Sequence, residues 1–219
     1  IWISHFFKGG NFNIMKPIIG IVLRPDKNIT NKDVQIIYKN IYNSLINYDI
    51  DVIGIINDDS SLDLVNVCDG FILQGGNEAT DFDFELIKKC YSLDIPLLGI
   101  CLGMQTIGEV FNGHLEEINS GLHNLENMNT HTITIYNNTK LFDIIGEYNI
   151  DVNSRHIYEI KNPNLLISAR SNDGVIEAIE DPSKKFFLGV AWHPENMMGN
   201  KYCKKIFDDF VDVCKKSSK

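Results

Sequence analysis

The chain has 219 residues, of which 44% are hydrophobic and 22% charged, so it can bury one sizeable core and a single domain is expected. Its formal net charge of -9 at pH 7 would repel nucleic acid and anionic membranes, and neither is an expected partner. The five cysteines are odd in number and form no Cys-x-x-Cys pair, which indicates neither a disulfide framework nor a thiolate metal site and favours a reducing compartment such as the cytoplasm.

The chain opens with IWISHFFKGGNFNI, which has the pattern of neither a folded domain nor a secretory signal. A buried strand is predicted over residues 17–23, directly after Met15. We therefore expect Met15 to be the native start. On this view residues 1–14 are a non-native leader, and the folded domain spans residues 15–219.

Strand and helix signals alternate through the first half of the chain, which is typical of a parallel sheet with helices on both faces. Apolar residues at helical spacing predict a helix over residues 31–47, with Thr30 or Asn31 as its cap. The other elements predicted here are strands over 50–56, 71–73 and 96–100 and helices over 84–93 and 104–111.

After Gly113 the sequence changes to short strand-like runs separated by Asn, Gly and Pro. They predict further strands that extend the sheet and add an antiparallel excursion. The runs cover residues 131–136, 165–169, 175–179 and 186–190. In the last segment, 201–215, apolar residues recur every four positions against a charged face, which predicts a helix docked on the core.

The stretch GICLGMQ at 99–105 places Cys101 between a predicted strand and a predicted helix. A nucleophile in such a turn can be held in a strained backbone conformation that lifts its side chain above the sheet edge. The residues two before and two after it nearly touch there, and both of these, Gly99 and Gly103, lack a Cβ atom. The following helix N-terminus points free N–H groups at the sulfur, which favours the thiolate.

The stretch AWHPE at 191–195 can supply a base and a group that orients it. Residues two apart in an extended segment project to the same side, and Pro194 stiffens the link between them. The Glu195 carboxylate can then hold the His193 imidazole while the imidazole faces Cys101.

The stretch LQGG at 73–76 ends a predicted strand, and its glycines allow a close backbone approach. Acyl transfer needs backbone N–H donors for the developing oxyanion. The amides of Gly76 and of Leu102, directly after the nucleophile, are the candidates.

Together these three segments resemble the class I (triad-type) glutamine amidotransferases, and the likeness runs from about residue 16 to the end of the chain. Within that superfamily, VNSRH at 152–156 and DGVIEAIE at 173–180 are more similar to the free-standing γ-glutamyl hydrolase branch. Members of that branch include γ-glutamyl-γ-aminobutyrate hydrolases.

The resemblance implies an α/β fold, a flavodoxin-like three-layer αβα sandwich with a mostly parallel central sheet and a small antiparallel excursion. It also implies a triad of Cys101, His193 and Glu195 that attacks a γ-glutamyl amide and forms a thioester. No metal and no organic cofactor are expected. The residues implied for substrate binding are Gly75, Gln105, Arg155, His156 and Ile157.

Three functions remain open at this point. The favoured one is a hydrolase that cleaves glutamine or another γ-glutamyl amide and acts alone or as a homodimer. The alternative is a glutaminase subunit that supplies ammonia to a separate synthetase partner. Hydrolases of the resembled branch usually have a longer loop before the nucleophile and often an arginine directly after it. Here only 24 residues separate Gly76 from Cys101, and Leu102 follows the cysteine, so these departures favour the alternative. A non-catalytic binding module is the third, and the intact Cys, His and Glu residues argue against it.

Other chemically suggestive residues have simpler interpretations. The spacing of His114, His123 and His131 matches no tight ligand pattern, so no metal site is predicted there. His156 can be either a hydrogen-bonded structural residue or a substrate contact. The residues expected to be small core residues or turn and cap residues are Cys68, Cys90, Cys203, Cys214, Asp69, Asp81 and Asp83.

Overall fold

A computed structural model describes residues 16–123 and 131–217 of the chain, so the expected leader over 1–14 lies outside the described residues. The helices are α1 (Lys39–Leu45), α2 (Asp81–Leu93), α3 (Leu102–Val110), α4 (Lys140–Ile145) and α5 (Lys201–Ser217), with 3-10 turns at Asp59–Asn66 and Pro194–Asn196. The strands are β1 (Ile18–Val22), β2 (Arg24–Lys27), β3 (Asp33–Ile36), β4 (Asp51–Ile55), β5 (Gly70–Leu73), β6 (Leu97–Ile100), β7 (His114–Glu117), β8 (His131–Ile135), β9 (Asn149–Val152), β10 (Tyr158–Lys161), β11 (Leu166–Ser171), β12 (Ile176–Glu180) and β13 (Phe187–Val190).

A nine-stranded sheet in the order β4-β1-β5-β6-β13-β12-β11-β8-β9 forms the centre of the molecule. The strands from β4 to β13 are parallel, and their order is that of a flavodoxin-like doubly wound sheet. The strands from β12 to β9 add an antiparallel extension. The predicted α/β, flavodoxin-like fold is confirmed. Because β5, β6 and β13 are parallel neighbours, their carboxyl ends meet at one edge of the sheet.

Helices cover both faces of the sheet and enclose a core on each. The core on one face is closed by α1, α4 and α5, and that on the other by α2 and α3. The predicted docking of the last helix is confirmed, because α5 buries one stripe and leaves charged residues outside. Its fully buried residues are Cys203, Ile206, Phe207, Phe210, Val211 and Cys214.

The predicted helix over residues 31–47 is wrong in its first part. A turn in which Asn31 takes a φ of 57° folds the chain back, so that β3 pairs antiparallel with β2 and the helix begins only at Lys39. The burial of Asp33–Ile36 alternates, as the two faces of a strand require. The apolar residues that suggested one helical stripe therefore belong to a strand and a shorter helix.

Among the described helices, none combines the length and the apolar character that crossing a bilayer requires.

Candidate active site

Cys101 occupies a strained turn between β6 and α3. Its φ of 52° and ψ of -106° are unusual for a residue with a side chain, and its amide donates to the carbonyl of Val190 at 2.8 Å. A Cβ atom on Gly99 would lie 2.8 Å from the carbonyl carbon of Gly103. A Cβ atom on Gly103 would lie 2.2 Å from the carbonyl oxygen of Leu73. The predicted close approach of these two glycines is confirmed.

His193 lies just beyond the end of β13 and is oriented by Glu195. The imidazole Nδ1 and the carboxylate Oε1 are 2.7 Å apart, which leaves Nε2 for the sulfur of Cys101. Burial of the ring lowers the pKa of His193, but its hydrogen bonds and charge interactions with Cys101 and Glu195 raise that pKa to about 10. The ring is therefore a proton-carrying imidazolium at neutral pH, and the structure brings the three predicted residues together.

The backbone of His193 is held by a side chain that the sequence did not single out. The His193 amide donates to Oδ1 of Asn153 at 2.7 Å, and Nδ2 of Asn153 donates back to the His193 carbonyl at 2.9 Å. Asn153 is buried. It lies in the VNSRH stretch already noted, but no local pattern shows that it reaches a residue 40 positions away.

The strand end after β5 lies against both Cys101 and His193. A Cβ atom on Gly75 would be 2.9 Å from Cε1 of His193 and 3.6 Å from Cβ of Cys101. A Cβ atom on Gly76 would be 3.2 Å from Cδ2 of Leu102. Leu102 is the first residue of α3, where amides have no intrahelical partner. The structure thus places Gly76 beside Leu102, and their role as oxyanion donors stays a prediction.

We expect Gly75→Ala to reduce kcat by a factor of about 100, because the new methyl group would push the His193 ring away from the sulfur. Steady-state kinetics and thermal unfolding measure the effects on activity and on stability separately. Gly199→Ala is the matched control, since a Cβ atom there has no described neighbour within 4 Å. Unchanged kcat in Gly75→Ala would contradict the close packing of this glycine on the ring.

A buried ion pair anchors the same strand end. Arg24 Nη1 donates to both carboxylate oxygens of Asp83, at 2.7 and 2.8 Å. Its Nε and Nη2 donate to the carbonyl of Gln74, at 3.0 and 2.8 Å. Asp83 was predicted as a turn or cap residue; it does form a capping box with Thr80, and it is also the partner of Arg24. No local pattern indicates this pairing, because its partners are 59 positions apart.

Replacing Arg24 by alanine should lower the free energy of unfolding by about 3 kcal/mol, because it leaves the Asp83 carboxylate buried without its cation. Urea denaturation measures this. The double variant Arg24→Met with Asp83→Leu should recover part of the loss, since no buried charge then remains unpaired. Lys88→Ala, at an exposed pair with Glu85, is the control and should change stability by less than about 1 kcal/mol.

A cavity of about 290 Å³ opens at this edge of the sheet. Of the residues predicted for the site, it is lined by Gly75, Gly76, Cys101, Arg155, His193 and Glu195. The lining residues that the sequence did not single out are Tyr38, Asn40, Asn77 and Asn196.

Three residues predicted for substrate binding are not part of this lining. Gln105 is buried and its Nε2 donates to the carbonyl of Tyr158 at 2.8 Å. The ring of His156 is also buried, and its Nδ1 faces the same carbonyl at 3.1 Å. Ile157 is 45% exposed and lies outside the cavity. Gln105 and His156 therefore both bind the backbone at Tyr158, three residues after Arg155 of the cavity lining.

The histidines have different surroundings. His114 is exposed and pairs with Glu116 at 3.1 Å. His123, His131 and His156 instead gather around Glu177, which is fully buried on β12. Sequence spacing could not reveal this cluster, because the tertiary fold alone brings its members together.

A family model for Peptidase C26 matches residues 77–195, more than half of the chain. The chain belongs to the Peptidase C26 family. This membership agrees with the resemblance to class I glutamine amidotransferases, and the chain is a glutamine amidotransferase-like protein. The matched segment includes Cys101, His193 and Glu195.

Proteins of similar sequence support the same family, and a solved structure shares the fold. The chain is 28% identical to a proposed glutamine amidotransferase-like protein of Rickettsia prowazekii, over 69% of this chain and 79% of that protein. It is 30% identical to one of the subunits of the glutamine-hydrolyzing GMP synthase of Methanothrix thermoacetophila, over 68% of this chain and 79% of that protein. A crystal structure of a proposed GMP synthase subunit from Thermoplasma acidophilum superposes with a TM-score of 0.71 at 21% identity, covering 91% of this chain and 94% of that one.

Proposed function

We propose that this protein hydrolyses a γ-glutamyl amide through a γ-glutamyl thioester on Cys101. The observation that carries the proposal is the arrangement at the cavity: a cysteine on a strained turn, beside an imidazole ring whose Nδ1 is held by a buried carboxylate. A nucleophile, a proton donor and an orienting group in this geometry are what acyl transfer requires.

The first half-reaction forms the thioester. The Cys101 thiolate attacks the amide carbon, a C–S bond forms, and negative charge develops on the carbonyl oxygen. The amides of Gly76 and Leu102 would stabilise this charge, and loss of one such donor costs on the order of 3 kcal/mol. The C–N bond then breaks, and His193 gives its proton to the departing amine or ammonia.

The second half-reaction regenerates the site. A water molecule gives a proton to His193 and attacks the thioester carbon, and the C–S bond breaks with the electron pair returning to sulfur. Glutamate leaves, and the thiolate and imidazolium are restored. Arg155 lines the cavity, and its guanidinium would bind the α-carboxylate of the glutamyl group.

Two candidates for the leaving amine are each favoured by a different observation. Hydrolysis of a γ-glutamyl amine by the chain alone is the function expected from the VNSRH and DGVIEAIE stretches. Supply of ammonia to a separate synthetase is favoured by the 30% identity to a GMP synthase subunit over most of both chains. The two share the Cys101 chemistry and differ in the leaving group and in the need for a partner.

A substrate panel tests both. Glutamine, γ-glutamyl-γ-aminobutyrate, γ-glutamyl peptides and polyglutamyl folate are incubated with the purified chain, and released glutamate is measured. Turnover of a γ-glutamyl amine at a rate far above that of glutamine supports the free-standing hydrolase. Very slow glutamate release from every substrate by the chain alone, together with faster release from glutamine when a synthetase partner is added, supports the role in ammonia supply. Failure of Cys101 to acquire a γ-glutamyl adduct in any of these reactions would overturn the shared chemistry.

A further inference from the structure

The cluster around Glu177 contains three buried atoms that lack partners among the described residues. They are Oε2 of Glu177, Nε2 of His156 and Nδ1 of His131. The Glu177 side chain has no exposed surface. Unpartnered buried acceptors are costly, and a cation bound by Glu177 and His156 would satisfy the two that belong to these residues.

The tautomer of His156 leaves a lone pair aimed at this carboxylate. Nδ1 of His156 donates to the carbonyl of Tyr158 at 3.1 Å, so Nε2 is the unprotonated nitrogen. That nitrogen is 3.8 Å from Oε1 of Glu177. Two electron-rich atoms thus face each other inside the protein, which is the arrangement of two ligands on either side of a metal ion.

His123 also lies between Glu177 and a second hydrogen-bond acceptor. Its Nε2 donates to the carboxylate of Asp173 at 3.1 Å, while Nδ1 lies 3.4 Å from Oε1 of Glu177. The hydroxyl of Ser154 is 3.3 Å from that Nδ1 but gives its proton to the His123 carbonyl at 2.7 Å. In metal sites a ligating histidine almost always donates its other N–H to a carboxylate or a backbone carbonyl. His123 and His156 show one case of each.

We propose that His123, His156 and Glu177 form a binding site for a divalent cation of the zinc class. Their donor atoms all lie within 4.8 Å of one another. Ligands about 2.0–2.1 Å from a tetrahedral ion are about 3.3 Å apart, so small side-chain movements separate the present arrangement from a coordinated one. Imidazole and carboxylate donors without thiolate suit Zn²⁺, with Co²⁺ as a spectroscopic substitute. His131 Nε2, 2.8 Å from Oε1 of Glu177, orients the carboxylate.

The place of this site in the fold gives the cation a structural role. His156 follows Arg155, which lines the cavity, and Asn153, which holds the backbone of His193, lies three residues earlier. A metal ion would link residues 153–156 to Glu177 of β12 and so stabilise this side of the active-site cavity. No step of the proposed hydrolysis requires the ion.

The test uses the full chain with Cys101→Ser, because the active-site thiolate and imidazole could themselves bind zinc. Protein produced with added Zn²⁺ is desalted and its metal content measured, and Co²⁺ is substituted for absorption spectroscopy. We expect about one equivalent per chain and a higher melting temperature with the metal than without. Adding Glu177→Gln should lower the retained metal at least tenfold. Adding His114→Asn, which removes an exposed histidine paired with Glu116, should leave it unchanged.

X-ray absorption at the zinc edge keeps the proposal testable if the Glu177→Gln variant does not fold. The Cys101→Ser protein should then show nitrogen and oxygen neighbours, with the outer scattering of two imidazole rings and no sulfur. Absence of stoichiometric Zn²⁺ and Co²⁺ binding, undiminished binding in a folded Glu177→Gln variant, or sulfur in the coordination shell would each overturn it.

Discussion

Replacing Cys101 by alanine is expected to lower kcat on any γ-glutamyl substrate by at least about 10,000-fold, because no other group can form the thioester. Initial-rate measurements of glutamate release check this. The fold should persist, since only a thiol that is 8% exposed at the cavity is removed. Cys68→Ala is the control. That thiol packs in the core closed by α2 and α3, so its removal should leave kcat unchanged. Retained turnover in Cys101→Ala would eliminate the proposed reaction.

The backbone at position 101 allows a second test by substitution. Alanine keeps the strained φ of 52°, whereas glycine adopts it without penalty. Cys101→Gly should therefore be inactive and yet more stable than Cys101→Ala, by about 1 kcal/mol. Thermal unfolding of the two variants checks this difference. Equal stability would mean that the turn stores no strain.

Selective alkylation extends the prediction to all five cysteines. Burial raises the pKa of Cys68 and of Cys203 to about 12, and it also raises the pKa of Cys90 and Cys214. The raised pKa keeps these four thiols protonated at neutral pH, whereas Cys101 opens on the active-site cavity beside His193. A glutamine-like electrophile should label Cys101 alone, and mass spectrometry of the digested protein identifies the site.

The parallel half of the fold was predictable from the sequence, because buried parallel strands are continuous apolar runs with helices between them. Leu97–Ile100 and Gly70–Leu73 are fully buried four-residue strands of this kind. The short strands β7, β9 and β10 and helix α4 were not predicted. They are four to six residues long and partly exposed, so little apolar periodicity marks them. Their positions depend on long-range pairing, such as that of Ile160 with Leu115.

The same distinction holds for the site. The strained turn at Cys101 and the His-x-Glu segment were predictable because each depends on residues close in sequence. The first is a cysteine between two glycines, and the second is two side chains separated by one proline. Arg24 and Asn153 were not, because each acts on a backbone group 40 to 50 residues away. The cluster around Glu177 joins several elements and was not predicted, because only the set His114, His123 and His131 was considered and its spacing matched no ligand pattern. Local chemistry can be predicted from a sequence, whereas the residues that position it depend on the tertiary fold.

Replacing Glu195 by glutamine should lower kcat by a factor of about 100 to 10,000, because the imidazole loses the group that fixes its orientation and stabilises its charge. It should also move the alkaline limb of the pH profile of kcat/KM to lower pH. The carboxylate is one of the groups that raise the pKa of His193 to about 10, and the leaving amine needs the proton that His193 carries. Glu85→Gln, at an exposed pair with Lys88, should leave both kcat and the profile unchanged.

The same substitution has a defined effect on stability. Because the folded-state pKa of His193 lies above its unfolded value of about 6.5, the charged ring contributes stability that is complete below pH 6.5 and is lost as pH rises through about 10. Glu195→Gln should therefore destabilise the protein most at pH 6, and the difference from wild type should shrink toward pH 10 and above. Thermal unfolding across this range measures it. A difference that grows with pH would mean that the ring is neutral in the folded protein, and the assignment of His193 as the proton donor would then fail.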